Sequence, residues 1–531
     1  MGPVVNRAKN NSIEIKGYRR TKETVIYQCG DEYCHFNKLS NPLPLQVIDE
    51  DIYKDPPAMV IATVDKFAML PWKEEARGLF GFRKNGERVS PPDLIIQDEL
   101  HLISGPLGSM VGHYETLITT LCINPNTGKG PKVIASTATI SRAKEQAHAL
   151  YNCGIENIFQ FPPQCIDAGE SFFAYVENDS TKKPGRVYVG IHASGLPSHA
   201  TAQVRVISAL LQSVKMVSVK DEKERDAYWT IVNYFNSLRE LGHAATLVSA
   251  DIPEYMRAMW NRKNIAKENR RFINKLIELT SRADSSEIPK YLQELELKYL
   301  GSNDYKPVDI CLATNMISVG LDISRLGIMT VIGQPKTTSE YIQATSRVGR
   351  SSEGPGLVFV IYNTSKPRDR SLYEQFYTYH SKIYSYVEPT TVTPFATPVR
   401  ERALHALIVG LVRYLGNEDN LKSPSPVPSD DLQKMISEII LERVKNIDST
   451  ELDNTKNLIY KRFQEWINYS PVVYGNPMGQ NMNMPLMYPS SLVGNQDLQK
   501  KAWATPTSMR NVDVECEARV IDFYPDEEDK N

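Results

Sequence analysis

Asp93-Leu94-Ile95-Ile96-Gln97-Asp98-Glu99-Leu100-His101 is a short apolar run that ends in two adjacent carboxylates. A strand buried on both faces reads this way, and the end of a parallel strand is where α/β folds place their ligand chemistry. The same rhythm recurs outward from it. Ala58-Met59-Val60-Ile61 precedes it and Val133-Ile134-Ala135 follows. Further runs are Arg186 to Val189, Ala245 to Val248, Asp309 to Leu312, Met329 to Ile332 and Leu357 to Val360. Each is bounded by turn or helix signals, so the expected class is α/β: two parallel-sheet halves with helices on their faces. The halves join near residues 160–185, where Phe161-Pro162-Pro163 and Lys183-Pro184-Gly185 break the pattern.

Four strand ends carry chemistry. After Ile96, the Asp98 carboxylate suits a Mg²⁺ held mainly by phosphates and water, and Glu99 can orient or deprotonate an attacking water. Taken alone, the pair reads more readily as two exposed loop acids than as a catalytic pair. After Ala135 comes Ser136-Thr137-Ala138-Thr139, whose hydroxyls can bond the acidic loop or cap the next helix. After Leu312 comes Ala313 to Asp322. There Thr314 and Asn315 can bond a phosphodiester backbone, Gly320 permits close approach and Asp322 can accept from a ribose hydroxyl. Gln343-Ala344-Thr345-Ser346-Arg347-Val348-Gly349-Arg350 sets two guanidinium groups three apart on an expected helix. They match the charge of a transferring phosphoryl group, or form an ordinary surface ion-pair set.

In this order the four segments resemble motifs II, III, V and VI of a superfamily 2 DExH-box helicase. Ala62-Thr63-Val64-Asp65-Lys66-Phe67-Ala68 is similar to the nucleic-acid-contacting motif Ib or Ic, and Val189-Gly190-Ile191-His192 more faintly to motif IV. More narrowly, Thr63 to Phe67, Asp98 to Gly108 and Pro506 to Val512 resemble the DrmA-type helicases of DISARM anti-phage systems. The resemblance implies two RecA-like domains, the first incomplete, and a nucleic-acid helicase or translocase that hydrolyses ATP with Mg²⁺. It assigns catalysis to Asp98, Glu99, Gln343, Arg347 and Arg350. It assigns nucleotide contact to Asp98, His101, Gly320, Asp322, Arg347 and Arg350, and coupling to Ser136, Thr137 and Thr139. Thr63, Lys66, Thr314 and Asn315 would hold DNA or RNA. Other defence-system subunits are implied partners.

One part is missing. Such an ATPase needs a Gly-x-x-x-x-Gly-Lys-Ser/Thr loop before the acidic pair, to cradle phosphates. The 531 residues contain none; Asn126-Thr127-Gly128-Lys129-Gly130 follows the pair and lacks the hydroxyl residue. Three readings fit: the loop lies on an upstream polypeptide, the chain is an ATPase-inactive binding or scaffold subunit, or its start is misassigned. Retention of Glu99, Arg347 and Arg350 together favours the first. Cys29 and Cys34, with His35, have near zinc-ligand spacing but supply only part of a Zn²⁺ site. An upstream or partner chain would complete it; otherwise they are buried thiols. Arg257 to Lys275 holds seven basic residues interleaved with Trp260 and Phe272. Of these, Arg262, Lys263 and Arg270 are candidates to track a strand, and a solvated helical face reads the same.

Composition bounds the rest. Lys+Arg is 61 against Asp+Glu 63, a net charge of −2, so nucleic-acid binding must use local patches. Seven scattered cysteines argue for a reducing, cytoplasmic compartment, and no apolar run is long enough to span a membrane. The expected divisions are a polar segment (1–44), the incomplete first domain (45–165) and the second domain (166–390). A helical insertion is expected at about 203–300, and a mainly helical extension over 391–531, with helices at Arg402 to Leu415 and Asp430 to Ile447.

Overall fold

The computed structural model describes residues 4–510 except 8–12, 22–23, 32, 39, 84–86, 139, 164, 167–169, 176, 178, 180, 281, 285–286, 300–305, 316–322, 352–353, 481–482 and 493–500. Thr139, Gly320 and Asp322 therefore lie outside the described residues. The chain forms two compact units. The first comprises residues 1–137, 142–159 and 390–531, and the second 138–141 and 160–389.

In the first unit, β1 (Leu94–Gln97) pairs in parallel with β2 (Lys132–Ala135). The connection is α1 (Gly105–Leu121), and α2 (Ala143–Tyr151) follows. Among the described residues this sheet has two strands. Its apolar side chains are open: Leu94, Ile96 and Ile134 are 46%, 61% and 50% exposed. Parallel sheets are normally covered on both faces. The strand expected at Ala58–Ile61 is absent; that run is irregular, with Met59 and Ile61 70% and 86% exposed. A β-prone run adopts the extended form only when a ladder partner takes its backbone groups.

The second unit is built on β3 (Arg186–His192), β4 (Ile231–Phe235), β5 (Leu276–Leu279), β6 (Ile310–Ala313), β7 (Ile328–Ile332) and β8 (Gly356–Tyr362). They form one sheet in the order β3-β8-β7-β4-β6-β5, parallel throughout. Every residue of β4, β6 and β7 is buried. Side chains alternate between two cores, as the pleat requires. Ile231 and Phe235 pack toward α3 (His199–Met216), α4 (Leu238–Ser249) and α5 (Asp251–Arg262). Val232 and Tyr234 face the other way, toward Leu295 of α6 (Ile288–Glu296), Tyr341 of α7 (Thr338–Thr345) and Tyr379. Then α8 (Pro367–Glu374) and α9 (Phe376–Ser381) follow β8.

Two expectations need correction here. Residues 203–300 are more than a helical insertion, because they supply the interior strand β4 and the edge strand β5. The apolar run Ile231 to Phe235 is flanked by charged segments that mask it in a long window. Ala245 to Val248 is helical: Leu241, Ala244, Leu247 and Val248 are its buried positions, at helical spacing, and Ser237 caps the helix by accepting from the Glu240 N–H.

The chain re-enters the first unit at Thr390. There α10 (Thr397–Leu415), α11 (Asp430–Ile447) and α12 (Leu452–Tyr469) share one core with Leu117, Leu121, Leu70 and Trp72. These residues were expected to form an extension; they are part of the first unit's core. The helix expected at Arg402 to Leu415 is also buried almost all round. Arg413 donates to the Pro71, Trp72 and Leu421 carbonyls and lies over the Tyr474 ring.

Glu115, on α1, is buried in this core, and burial pushes its carboxyl up to about 7 against the opposing effect of Arg443. The unfolded chain releases this proton near 4.5 and the folded chain only near 7. Stability is therefore expected to fall as pH rises between these values and to stay low above them. Glu115→Gln should flatten that slope and stabilise the protein at pH 8 by ~1–3 kcal/mol. Denaturant melts at a series of pH values check this, and an unchanged slope would refute it.

Candidate functional site

Glu99 is the residue at which β1 turns back. Its backbone is left-handed, at φ 53 and ψ 46, a conformation that costs a non-glycine residue energy. Three contacts fix the turn. Ser136 Oγ donates to Asp98 Oδ1, the Glu99 N–H donates to the same oxygen at 2.9 Å, and the Leu100 N–H donates to the Ser136 carbonyl at 2.9 Å. These hydrogen bonds, Ser136 first, hold the exposed Asp98 carboxyl below its usual range. His101 Nδ1 lies 3.4 Å from Glu99 Oε2. Asp98, Glu99, His101 and Ser136 thus form one cluster. The ends of adjacent parallel strands carry it, so the expected bond between the Ser136 and Asp98 loops is present. An exposed carboxylate on a fixed turn suits a Mg²⁺ that takes most of its ligands from phosphate and water.

Thr63 and Lys66 lie on the exposed start of the turn Val64–Met69, where Lys66 pairs with Asp49 at 2.6 Å. Between them, Asp65 does structural work. Its Oδ1 accepts from Ser508 Oγ at 2.8 Å and from the Met509 N–H, and its Oδ2 pairs with Arg510 at 2.9 Å. Trp72 Nε1 donates to the Pro506 carbonyl. The segments around Asp65 and Pro506 to Arg510, far apart in the chain, are therefore in contact.

In the second unit, buried Thr314 and exposed Asn315 follow β6. Gln343 lies on α7, but the helix ends at Thr345. Arg347 and Arg350 lie on the turn beyond it, correcting the expectation of one helical face. Gly349 makes that turn possible: at φ 67, a Cβ there would come within 2.4 Å of the Gly356 Cα. Sequence reading missed Asn236 and Ser237, at the end of β4. The Asn236 amide donates to the Ile332 and Gly333 carbonyls, and Ser237 starts α4. A polar pair after the apolar run Ile231–Phe235 was the available signal. The segment with the fainter motif IV resemblance, Val189 to His192, lies on edge strand β3, with His192 stacked on Tyr373.

The basic segment divides. Arg262 and Lys263 are exposed at the end of α5, and Arg262 lies over Tyr255. Arg270 is partly buried over Trp260. Arg271 is buried, paired with Asp309 at 2.8 Å, so it belongs to the core. Cys29 is buried and Cys34 half-buried. Among the described residues, no three His, Cys, Asp or Glu side chains cluster as metal ligands, so nothing there completes a Zn²⁺ site with this pair. No helix among them is long and apolar enough to cross a membrane.

Residues 272–352, from β5 to just past Arg350, match the helicase conserved C-terminal domain. The chain is 39% identical over 93% of its length to the DISARM protein DrmA of Bacillus paralicheniformis. Nearly the whole chain is thus similar to DrmA. The DrmA-like chain spans about half the length, 46%, of that relative. Among solved structures it is similar to the DUF1998 helicase MrfA bound to DNA and AMPPNP, with 16% identity over 73% of this chain and 45% of that one (TM-score 0.45). It is also similar to the Mycobacterium smegmatis helicase Lhr bound to ssDNA and AMP-PNP, with 14% identity over 80% and 43% (TM-score 0.46).

Proposed function

We propose that this chain is part of an ATP-dependent nucleic-acid translocase or helicase, completed by a polypeptide segment that carries the phosphate-binding loop and serves in anti-phage defence. The observation that carries this is the β1–β2 pair. It ends in a fixed acidic turn suited to Mg²⁺ and water, yet its apolar side chains Leu94, Ile96 and Ile134 stand open. Further strands and helices would cover them and bring phosphate-binding amides to the same sheet edge. Asp98 would hold Mg²⁺ and Glu99 would activate water. Gln343, Arg347 and Arg350 would stabilise the phosphoryl charge. Thr63, Lys66, Thr314 and Asn315 would hold the strand backbone, DNA in our reading. The helicase C-terminal match and the relative's DISARM name support this assignment.

The second reading is a non-catalytic nucleic-acid-binding subunit, favoured by the lack of a Gly-x-x-x-x-Gly-Lys-Ser/Thr stretch. One experiment separates the two: ATPase activity of this chain, with and without the polypeptide encoded immediately upstream, in the presence of single-stranded DNA. Stimulated turnover with both components is expected. No turnover from the pair would leave the binding subunit.

Arg262, Lys263 and Arg270 are the candidate basic patch on the segment that carries Phe272, which is exposed and set edge-on to Trp260. Replacing all three by Ala is expected to weaken single-strand binding most at low salt. The slope of log affinity against log salt should fall by about 2. Fluorescence anisotropy over a salt series measures this, and an unaltered slope would remove the patch from the interface.

A further inference from the structure

Gln146 lies on α2, more than 40 residues along the chain from the acidic turn, and is buried. Its carboxamide is used on both sides. Nε2 donates to the Leu100 carbonyl at 3.1 Å and to the Ile103 carbonyl at 2.8 Å. Oε1 accepts from Thr390 Oγ1 at 2.5 Å. Leu100 and Ile103 bracket the short turn that starts at strained Glu99 and contains His101. Only a carboxamide supplies two donors and an acceptor from one side chain; Glu would present acceptors to two carbonyls, and Leu nothing.

Thr390 is equally placed. It is the first residue of the first unit after the chain leaves the second at Pro389, and Pro389 is bridged to Ser141. From Thr390 the chain lies along α1, the helix that the acidic turn leads into. The Gly105 N–H donates to the Thr391 carbonyl at 2.9 Å, the Thr393 N–H donates to Ser109 Oγ at 2.9 Å, and His113 Nδ1 bonds the Pro394 carbonyl at 3.0 Å. Gly112 leaves the room this needs, since a Cβ there would come within 2.7 Å of the Pro394 ring.

The geometry points to Gln146 as a positioning residue through which Thr390 holds the acidic turn in its working shape. Movement of the chain at the exit of the second unit would be felt at Glu99 through one buried amide. This rests on the turnover proposed above and deepens it. Gln146 touches no substrate; it acts through the Leu100–Ile103 backbone.

The test uses Thr390→Val, which removes the hydroxyl at nearly constant volume, and Thr390→Ser, which restores it. Gln146→Leu serves as the stronger variant. Two readouts are taken on the full chain. Hydrogen exchange at the Leu100 and Ile103 amides should quicken about tenfold in Thr390→Val, with Leu117 on α1 unchanged, and recover in Thr390→Ser. In the ATPase assay with the upstream polypeptide, kcat should fall about tenfold in Thr390→Val and about a hundredfold in Gln146→Leu, at unchanged KM for ATP, because misplacement of about 1 Å near the reacting groups costs on this scale. Turnover in the wild type with an unchanged kcat in Thr390→Val overturns the proposal. So does exchange that ignores the substitution. If the wild-type pair has no turnover, the translocase assignment fails, and exchange alone decides whether Gln146 holds the turn.

Discussion

Glu99→Gln is expected to lower nucleic-acid-stimulated ATP turnover by a hundredfold or more while leaving the KM for ATP within a few-fold. A positioned acid or base contributes about 10²–10⁴ to such a step, and the amide keeps the shape but cannot take a proton. The structure makes the substitution clean. Glu99 is fixed by its backbone, through the Asp98 carboxylate and the left-handed turn, and its side chain contributes the 3.4 Å contact with His101 and little to the core. Folding should survive, and strand binding with it. Steady-state kinetics of the chain with its upstream polypeptide measures the effect. Turnover equal to wild type would end the proposed role of the acidic pair.

Arg271→Ala is expected to destabilise the second unit by ~3–5 kcal/mol, because it leaves a buried carboxylate without its counter-ion. Arg271 and Asp309 are 1% and 2% exposed. The guanidinium also bonds the Trp229 carbonyl at 3.0 Å and stacks 3.2 Å from the centre of the Trp229 ring. Burial pulls its pKa down to about 10, with Asp309 opposing. On the other side, Asp309 Oδ2 accepts from the Asn274 and Lys275 N–H groups at 2.7 and 2.9 Å, tying the entry to β5 to that of β6. Urea unfolding, with hydrogen exchange at the β5 and β6 amides, reads the loss. The pair Arg271→Met with Asp309→Leu should recover much of it, since removing both charges avoids the unpaired one. A change below about 1 kcal/mol for Arg271→Ala would return Arg271 to the surface-charge class in which the sequence placed it.

That misplacement shows where sequence legibility stops. Arg271 sits in a run of seven basic residues, and nothing local distinguishes it from Arg270. Its inward course is decided by Asp309, 38 positions away and brought near by the β5–β6 register. The β4 strand was missed for a related reason: a five-residue run with four apolar side chains, between charged segments, vanishes in a long window, although Asn236 and Ser237 mark its end. Arg347 and Arg350 were assigned to a helix because periodicity does not show where a helix stops; Gly349 and the close approach of Gly356 do. The sequence gives a helix at α10 but cannot show that it is covered, because α1, α11 and α12 surround it only in the fold.

The sequence by itself determined the α/β class, the end of β1 in an acidic pair, the hydroxyl that follows β2 and the likeness of residues 272–352 to the helicase conserved C-terminal domain. All of these are short contiguous patterns, in which apolar residues set the strand and the next few residues set the chemistry. Tertiary structure alone decided that Asp65 fastens Ser508 and Arg510, that Gln146 joins the acidic turn to Thr390 and that Arg271 is core. Each of these is a contact between residues far apart in the chain. Its partners carry no mark in their own neighbourhoods, and only packing brings a buried donor and its acceptor within 3 Å.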